Sequence, residues 1–373
     1  MDLWADLDEL RQRRSEKWRR YPAAVLPLFV AEMDTKLAPP IRAALDAALS
    51  VSDTGYAQPD ALPTAYASFA GRRWGWHPDP AAMALMPDVA RAARTAIELA
   101  SSPGDPVVIN PPVYPPFFEW LEMTGRRLVS VPLRSGRLDL SGLEAAFAAG
   151  ARVYLLCNPQ NPTGTVHTPA ELTEVSSLAA AYGVTVVSDE IHAPLTLGEA
   201  VFTPYLSLDG TGTAYAAVST SKAWNLAGLK AALLVGGSLS GIPEDTVSST
   251  GNLGVIASIA ALDAGEAWLD DLRAELDVNR RWLTSALSEL GVGCRAPSAT
   301  YLAWLDLRDH GLGDDPAPVL LERGRVALYR GLDFGPEGAG FVRLNFATSP
   351  ALLAEAVDRL ETALRTGRRP GRT

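Results

Sequence analysis

Short, nearly continuous apolar runs alternate with longer amphipathic segments through the middle of the chain. Runs rich in valine, leucine and alanine predict strands that are buried on both faces. These runs are residues 107–109, 127–131, 152–156, 183–187, 214–218 and 231–235. Segments with helical spacing lie between them, and two of these segments, residues 139–149 and 168–182, begin at the polar residues Asp139 and Thr168.

Strands that alternate with helices predict an α/β fold with a mostly parallel central sheet and helices on both faces. We expect this large domain to cover residues 48–279. Residues 1–47 and 280–373 contain further helical patterns and two strand-like runs, and they predict a smaller α+β domain built from both termini. Because such sheets bind ligands at the carboxyl ends of their strands, the residues that follow each strand are the first place to search for chemistry.

Composition excludes several classes of protein. The 373 residues are 47% hydrophobic and 20% charged, which is typical of an ordinary globular α/β protein. The formal charge of −10 argues against a nucleic-acid partner or an anionic membrane surface. A short group of arginines at the C-terminus is interpreted as a solvated end, and it consists of Arg365, Arg368, Arg369 and Arg372.

The N-terminal residues lack the uninterrupted apolar run of a signal peptide, and no stretch is apolar enough to predict a membrane span. Cys157 and Cys294 are far apart, which argues against a disulfide framework. We therefore expect a cytoplasmic protein. The four histidines show no ligand spacing, so no metal site is predicted.

Lysine is rare in this chain, with four lysines against 29 arginines. Lys222 directly follows the predicted strand 214–218, where its amine would emerge at the edge of the sheet. Unlike a guanidinium, a desolvated amine can lose its proton and form a Schiff base with an aldehyde. The alternative is a surface lysine flanked by capping serines.

Two other strand ends carry polar side chains. The turn after strand 152–156 presents Asn158 and Asn161, and the strand 183–187 leads into Asp189 and His192. Each feature alone has an ordinary explanation, since Asn-Pro sequences punctuate loops and an acid after a strand often caps a helix.

In this order and spacing, these residues resemble the fold-type I pyridoxal-phosphate enzymes of the aspartate aminotransferase superfamily. Asn161 and Asp189 are 28 residues apart, and Asp189 and Lys222 are 33 apart. Several segments resemble the cystathionine β-lyase-like C–S lyases in particular. They are residues 28–34, 111–117, 188–192, 221–228 and 341–346. The resemblance extends from about residue 27 to residue 365.

The resemblance implies roles for the residues at the ring of pyridoxal phosphate. Lys222 would be the catalytic residue and would hold the cofactor covalently. Asp189 would keep the ring nitrogen protonated, Asn161 would contact the phenolic oxygen, and Tyr114 would lie over the ring face. His192 would tune the ring or its anchoring carboxylate, although a purely structural histidine is the alternative.

The cofactor phosphate needs hydrogen-bond donors and positive potential. The resemblance implies that it binds amides at a helix start, two serine hydroxyls and a lysine. These are Val89, Ala90, Ser219, Ser221 and Lys230. Tyr56 resembles a tyrosine that reaches the phosphate of a neighbouring subunit, which would make the protein a homodimer with shared active sites.

Two positions depart from the family pattern. Asp88 stands where relatives usually have glycine, and its charge would repel the phosphate unless its side chain turns away to cap the helix. Residues 330–335 differ in sequence from the corresponding loop of the family. This loop adjoins the predicted substrate region, so the difference points to an unusual substrate or to altered chemistry.

Arg343 lies in an otherwise apolar strand pattern, where an unpaired guanidinium would be costly. The family role for this residue is to bind the α-carboxylate of an amino-acid substrate through paired hydrogen bonds. A structural salt bridge is the alternative.

The resemblance implies a lyase that cleaves cystathionine or another cysteine S-conjugate to a thiol, pyruvate and ammonia. An aminotransferase would use the same residues, and decarboxylation coupled to deamination is a related alternative. A regulatory binding protein is a further alternative, because one branch of the family modulates a transcription regulator.

Overall fold

The computed structural model describes residues 3–365. Its helices, in chain order, are α1 (Leu7–Gln12), α2 (Glu16–Arg19), α3 (Pro39–Ser50), α4 (Ala61–Trp74), α5 (Val89–Ala100), α6 (Pro116–Met123), α7 (Leu140–Ala148), α8 (Pro169–Tyr182), α9 (Glu244–Ser248), α10 (Asn252–Ala264), α11 (Glu266–Glu289), α12 (Ala317–Gly324) and α13 (Pro350–Arg365). Its strands are β1 (Leu26–Pro27), β2 (Met83–Met86), β3 (Pro106–Ile109), β4 (Arg127–Ser130), β5 (Val153–Cys157), β6 (Thr185–Asp189), β7 (Tyr215–Val218), β8 (Ala232–Gly236), β9 (Gly293–Cys294), β10 (Leu302–Asp306), β11 (Val326–Ala327), β12 (Tyr329–Arg330) and β13 (Phe341–Asn345).

The central sheet has the strand order β2-β8-β7-β6-β5-β3-β4. Strands β4, β3, β5, β6 and β7 are parallel, which confirms the predicted mostly parallel sheet. Strand β8 runs antiparallel to β7. The segment between them contains only a single 3-10 turn instead of a crossover helix, so the chain turns back on itself. The edge strand β2, which the apolar pattern did not reveal, pairs antiparallel with β8.

Helix caps explain where the elements around the sheet begin and end. Asp139 accepts a hydrogen bond from the Gly142 amide at the start of α7, and Thr168 forms a capping box at the start of α8. Gly183 ends α8 with a φ of 68°, in the left-handed region that favours glycine. For this reason β6 begins at Thr185, two residues later than the apolar pattern predicts.

A second, antiparallel sheet has the order β12-β13-β10-β9, and β1 near the N-terminus pairs with β11. Segments from both ends of the chain therefore pack together. The predicted domain boundaries fall within α3 and α11, and the division into 48–279 against 1–47 and 280–373 stays a prediction.

The C-terminal arginines 368, 369 and 372 lie outside the described residues, and Arg365 is the last residue of α13. Within residues 3–365, no helix combines the length and apolar character needed to cross a bilayer.

The core beneath the second sheet contains a buried ion pair. Lys17 is 0% exposed and its Nζ lies 2.8 Å from Asp34 Oδ2. Lys17 also donates to the Glu32 carbonyl, and Trp18 Nε1 donates to Asp34 Oδ1. The pair thus fastens the N-terminal helices to the segment at residues 28–35, which leads into the functional site.

We expect Lys17→Met to lower the free energy of unfolding by about 3–5 kcal/mol, because it leaves the Asp34 carboxylate buried without its cation. Urea unfolding of the cofactor-free protein would measure the change. The double variant Lys17→Met/Asp34→Asn should recover part of the loss. Equal stability of the single variant and the wild type would contradict the proposed importance of this pair.

Candidate active site

A cavity of about 330 Å³ opens at the carboxyl ends of β5, β6 and β7, between the central sheet and the second sheet. Parallel strands align these ends, and Cys157 pairs in register with Asp189. The cavity contains every predicted site residue except Tyr56. These residues are Val89, Ala90, Tyr114, Asn161, Asp189, His192, Ser219, Ser221, Lys222, Lys230 and Arg343.

Lys222 projects its amine into this cavity from the turn that follows β7. Its Nζ donates a hydrogen bond of 3.0 Å to the main-chain oxygen of Ala31. Desolvation, and next the charge of Arg343, lower the pKa of Lys222 to about 8, whereas Asp189 acts in the opposite direction. A substantial fraction of this amine is therefore neutral in mildly alkaline solution, as a nucleophile or a proton acceptor must be.

Asp189 ends β6 and is 3% exposed. Its Oδ1 accepts a hydrogen bond of 3.1 Å from the Ile191 amide. Burial raises the pKa of Asp189 to about 7, although the Ile191 amide and Lys222 partly oppose this shift. No basic side chain of the described chain forms an ion pair with this carboxylate, so it can serve a cationic group of a bound molecule.

His192, like Asp189, lines the cavity. Its ring is buried and packs edge-on against the Tyr301 ring at 6.0 Å. Burial, followed by the charges of Lys222 and Arg343, holds the pKa of His192 well below its usual range. The imidazole is therefore neutral at pH 7, and its buried Nδ1 has no hydrogen-bond partner among residues 3–365.

The first turn of α5 forms the opposite end of the cavity. The amides of Val89 and Ala90 stand at positions that have no acceptor within the helix. Asp88 caps this helix, since its Oδ1 accepts from the Arg91 amide at 2.8 Å. Lys230 Nζ lies 3.1 Å from Asp88 Oδ2, so the charge of Asp88 is paired and the repulsion expected for an anion is reduced.

The two serines that precede Lys222 also face this end. The Ser219 hydroxyl donates to the Ala231 carbonyl at 2.7 Å and accepts from the Ser221 amide at 3.1 Å. Both serines line the cavity, and these bonds fix the turn from which Lys222 projects.

Arg343 enters the cavity from β13 and is 2% exposed. Its Nη1 donates to Asn161 Oδ1 and its Nη2 to the Phe29 carbonyl, both at 3.0 Å. The guanidinium lies 4.7 Å from the Tyr329 ring centre and 5.0 Å from that of Phe334. Burial lowers the pKa of Arg343 to about 10. The alternative interpretation was a structural salt bridge, but no carboxylate within residues 3–365 pairs with Arg343.

Tyr114 lines the cavity beside α6, where its ring packs edge-on against Phe117 and Trp120. Burial raises the pKa of Tyr114 to about 12, so its hydroxyl is neutral. Tyr56 lies outside the cavity and is 88% exposed, with main-chain pairing to Gly251. Tyr56 is therefore the one predicted site residue that does not line the cavity around Lys222.

Sequence reasoning missed several contributors to the site. Ala31 contributes a main-chain oxygen, for which no side-chain signal exists. Tyr301 donates to that same oxygen at 3.0 Å, and a tyrosine at the start of a strand-like run was the only available hint. Phe334 lies within the divergent region 330–335, and Tyr329 directly precedes that region. The rings of both residues pack against the Arg343 guanidinium.

The family model for class I and II aminotransferases matches residues 26–360 of the chain. The chain belongs to this family. It is a pyridoxal-phosphate-dependent enzyme, which confirms the predicted cofactor, and it falls in the cystathionine β-lyase-like branch.

Particular relatives match almost the whole chain. A protein of Mycobacterium tuberculosis (strain H37Rv), provisionally named a cystathionine β-lyase, is 46% identical over 96% of this chain and 97% of its own length. The cystathionine β-lyase of Corynebacterium glutamicum is 38% identical over 96% and 99%. A Corynebacterium diphtheriae structure, provisionally described as a pyridoxal-phosphate-dependent β-cystathionase, has a TM-score of 0.94 and 35% identity and covers 98% of this chain and 99% of its own.

The donor set of the cavity fits this cofactor. A buried carboxylate without a cationic partner suits a protonated pyridine nitrogen, and the amine of Lys222 suits an aldehyde. The start of α5, with its two unpaired amides, suits a phosphate.

We expect Asp189→Asn to stabilise the cofactor-free protein at neutral pH. The raised pKa of Asp189 means that its ionised carboxylate is less stable in the folded protein than in the unfolded chain. The resulting loss of folding stability is absent near pH 4, grows as the pH rises and is complete above about pH 7. The variant should gain up to about 4 kcal/mol above pH 7 and nothing near pH 4. Urea unfolding across this range would measure the difference.

Asp306→Asn is the matched control for this experiment. A hydrogen bond from Arg308 lowers the pKa of Asp306, so its replacement should destabilise the protein at neutral pH. A stability curve for Asp189→Asn that runs parallel to the wild-type curve would refute the assignment of a buried, unpaired carboxylate.

Proposed function

We propose that this enzyme is a C–S β-lyase that cleaves cystathionine or another cysteine S-conjugate to a thiol, pyruvate and ammonia. The observation that carries the proposal is the buried guanidinium of Arg343, which has no carboxylate partner within residues 3–365 and shares one cavity with the Lys222 amine and the Asp189 carboxylate. The names of the Mycobacterium and Corynebacterium relatives support the lyase reaction in particular.

Arg343 orients the substrate. Its guanidinium is fixed by Asn161, by the Phe29 carbonyl and by two aromatic rings, and it still lacks an anion. An α-carboxylate would supply that anion through charge-assisted hydrogen bonds. Because Lys222 lines the same cavity, a substrate held there by its carboxylate would share the cavity with the Lys222 amine.

Asp189, Asn161 and Tyr114 would hold the cofactor ring at its nitrogen, its phenolic oxygen and its face. The amides of Val89 and Ala90, the hydroxyls of Ser219 and Ser221, and Lys230 would hold the phosphate. His192, as a neutral ring in the same cavity, would keep the carboxylate in a dry environment. When bound, pyridoxal phosphate supplies an electron sink for negative charge at Cα.

Lys222 acts first as the covalent anchor of the cofactor and then as the base. Its lowered pKa leaves the freed amine able to accept the Cα proton at Nζ. The C–S bond then breaks, and its electron pair leaves with the sulfur as a thiolate. Conversion of the remaining three-carbon fragment to pyruvate and ammonia consumes one water.

A homodimer is part of the proposal. Tyr56 is exposed, as are the nearby apolar side chains of Leu49 and Val51, which are 53% and 76% exposed. A second copy of the chain would cover this exposed surface, and by the family resemblance the Tyr56 of one copy would reach the phosphate bound by the other. A cytoplasmic location likewise stays a prediction.

Incubation of the pure, cofactor-loaded enzyme with cystathionine and with an S-alkyl cysteine should release thiol and pyruvate in equal amounts. Lys222→Ala should abolish this release, and borohydride should no longer fix the cofactor to the protein. Lys36→Ala, at an exposed lysine outside the cavity, is the control and should behave as wild type. Formation of pyridoxamine phosphate without thiol would instead establish an aminotransferase.

Arg343→Lys should lower kcat/KM for a cysteine S-conjugate by about 100-fold, because an ammonium cannot reproduce the paired hydrogen bonds of a guanidinium. An S-alkyl cysteamine, which lacks the carboxylate, should inhibit the variant and the wild type equally. Arg308→Lys, at an arginine that pairs with Asp306 outside the cavity, should retain full activity. Unchanged kcat/KM in Arg343→Lys would refute carboxylate binding by this residue.

A further inference from the structure

The main-chain oxygen of Ala31 accepts two hydrogen bonds from functional side chains. Lys222 Nζ donates to it at 3.0 Å, and the Tyr301 hydroxyl donates to it at 3.0 Å. Tyr301 is 0% exposed and stands directly before β10, far from both other residues in sequence. Only the tertiary fold brings these three groups together.

The segment that contains this oxygen is held firmly on both sides. Asn345 Nδ2 donates to the carbonyls of Val30 and Glu32, at 2.8 and 2.6 Å. Asn225 accepts from the Met33 amide and donates to the Met33 carbonyl, both at 2.9 Å. The Ala31 oxygen therefore cannot move far when one of its two donors leaves.

Lys222 withdraws as a donor during the proposed reaction cycle. If Lys222 anchors the cofactor, condensation of its amine with the aldehyde would release one water and leave Nζ with at most one N–H. The free amine that now donates to the Ala31 oxygen would then no longer be present. The Tyr301 hydroxyl is the donor that remains.

We propose that Tyr301 is a positioning residue for Lys222. Its hydroxyl would satisfy the Ala31 oxygen while the amine is bonded to the cofactor, and this oxygen, held by Asn345 and Asn225 on either side, would remain the acceptor to which the freed amine returns. This inference rests on the proposed role of Lys222 as the cofactor anchor. It requires no direct contact between Tyr301 and the substrate.

Tyr301→Phe tests the proposal because it removes the hydroxyl and keeps the ring beside His192. Without the hydroxyl the attached state leaves the Ala31 oxygen unsatisfied, so cofactor attachment should weaken. We expect the dissociation constant of pyridoxal phosphate, measured by adding it to the cofactor-free protein, to rise roughly 5-fold or more. Labelling of Lys222 by an amine reagent, mapped by mass spectrometry, should show a pH midpoint above the wild-type value.

Tyr215→Phe is the matched control, since the Tyr215 hydroxyl also donates to a main-chain oxygen, that of Ser238 at 2.9 Å, away from the cavity. This variant should keep the wild-type dissociation constant and labelling midpoint. Equal values in Tyr301→Phe and Tyr215→Phe would overturn the proposal, whatever their thermal stabilities. Wild-type enzyme that binds the cofactor through Lys222 but releases no thiol would refute the lyase function alone and leave this inference standing.

Discussion

The constraint on which the site depends is the removal of charged groups from water around one cavity. Asp189 and Arg343 are almost fully buried, and the Lys222 amine is desolvated beside them. Each needs hydrogen-bond partners, because an unsatisfied buried charge costs several kcal/mol. Arg343 obtains neutral partners and aromatic rings, and Asp189 obtains a main-chain amide. Both are thereby held in place, and within residues 3–365 neither forms an ion pair with an oppositely charged side chain.

The segment at residues 28–35 connects these groups. Its carbonyls accept from Arg343 at Phe29 and from Lys222 at Ala31, so one stretch of main chain contacts both the buried guanidinium and the amine. The buried pair of Lys17 and Asp34 lies at the end of this stretch. The hydrogen bonds of the active site and the packing of the N-terminal helices therefore involve the same short segment.

The departures from the family pattern acquire physical explanations in the fold. Asp88 caps α5 and pairs with Lys230, so a carboxylate at the start of this helix is compatible with an anion at its first amides. Phe334, in the divergent 330–335 region, packs against the guanidinium of Arg343 together with Tyr329. This region therefore shapes the immediate surroundings of the Arg343 guanidinium.

The sequence by itself determined the sheet and the side chains at its edge. Buried parallel strands require continuous apolar runs, and the rare amine, the acid and the amide that follow three of these runs must meet where the strands end. The tertiary structure alone decided the antiparallel course of β8, the addition of β2, and the roles of Ala31, Tyr301 and Tyr329. These depend on contacts between residues far apart in the chain, and a main-chain oxygen such as that of Ala31 leaves no trace in the pattern of side chains.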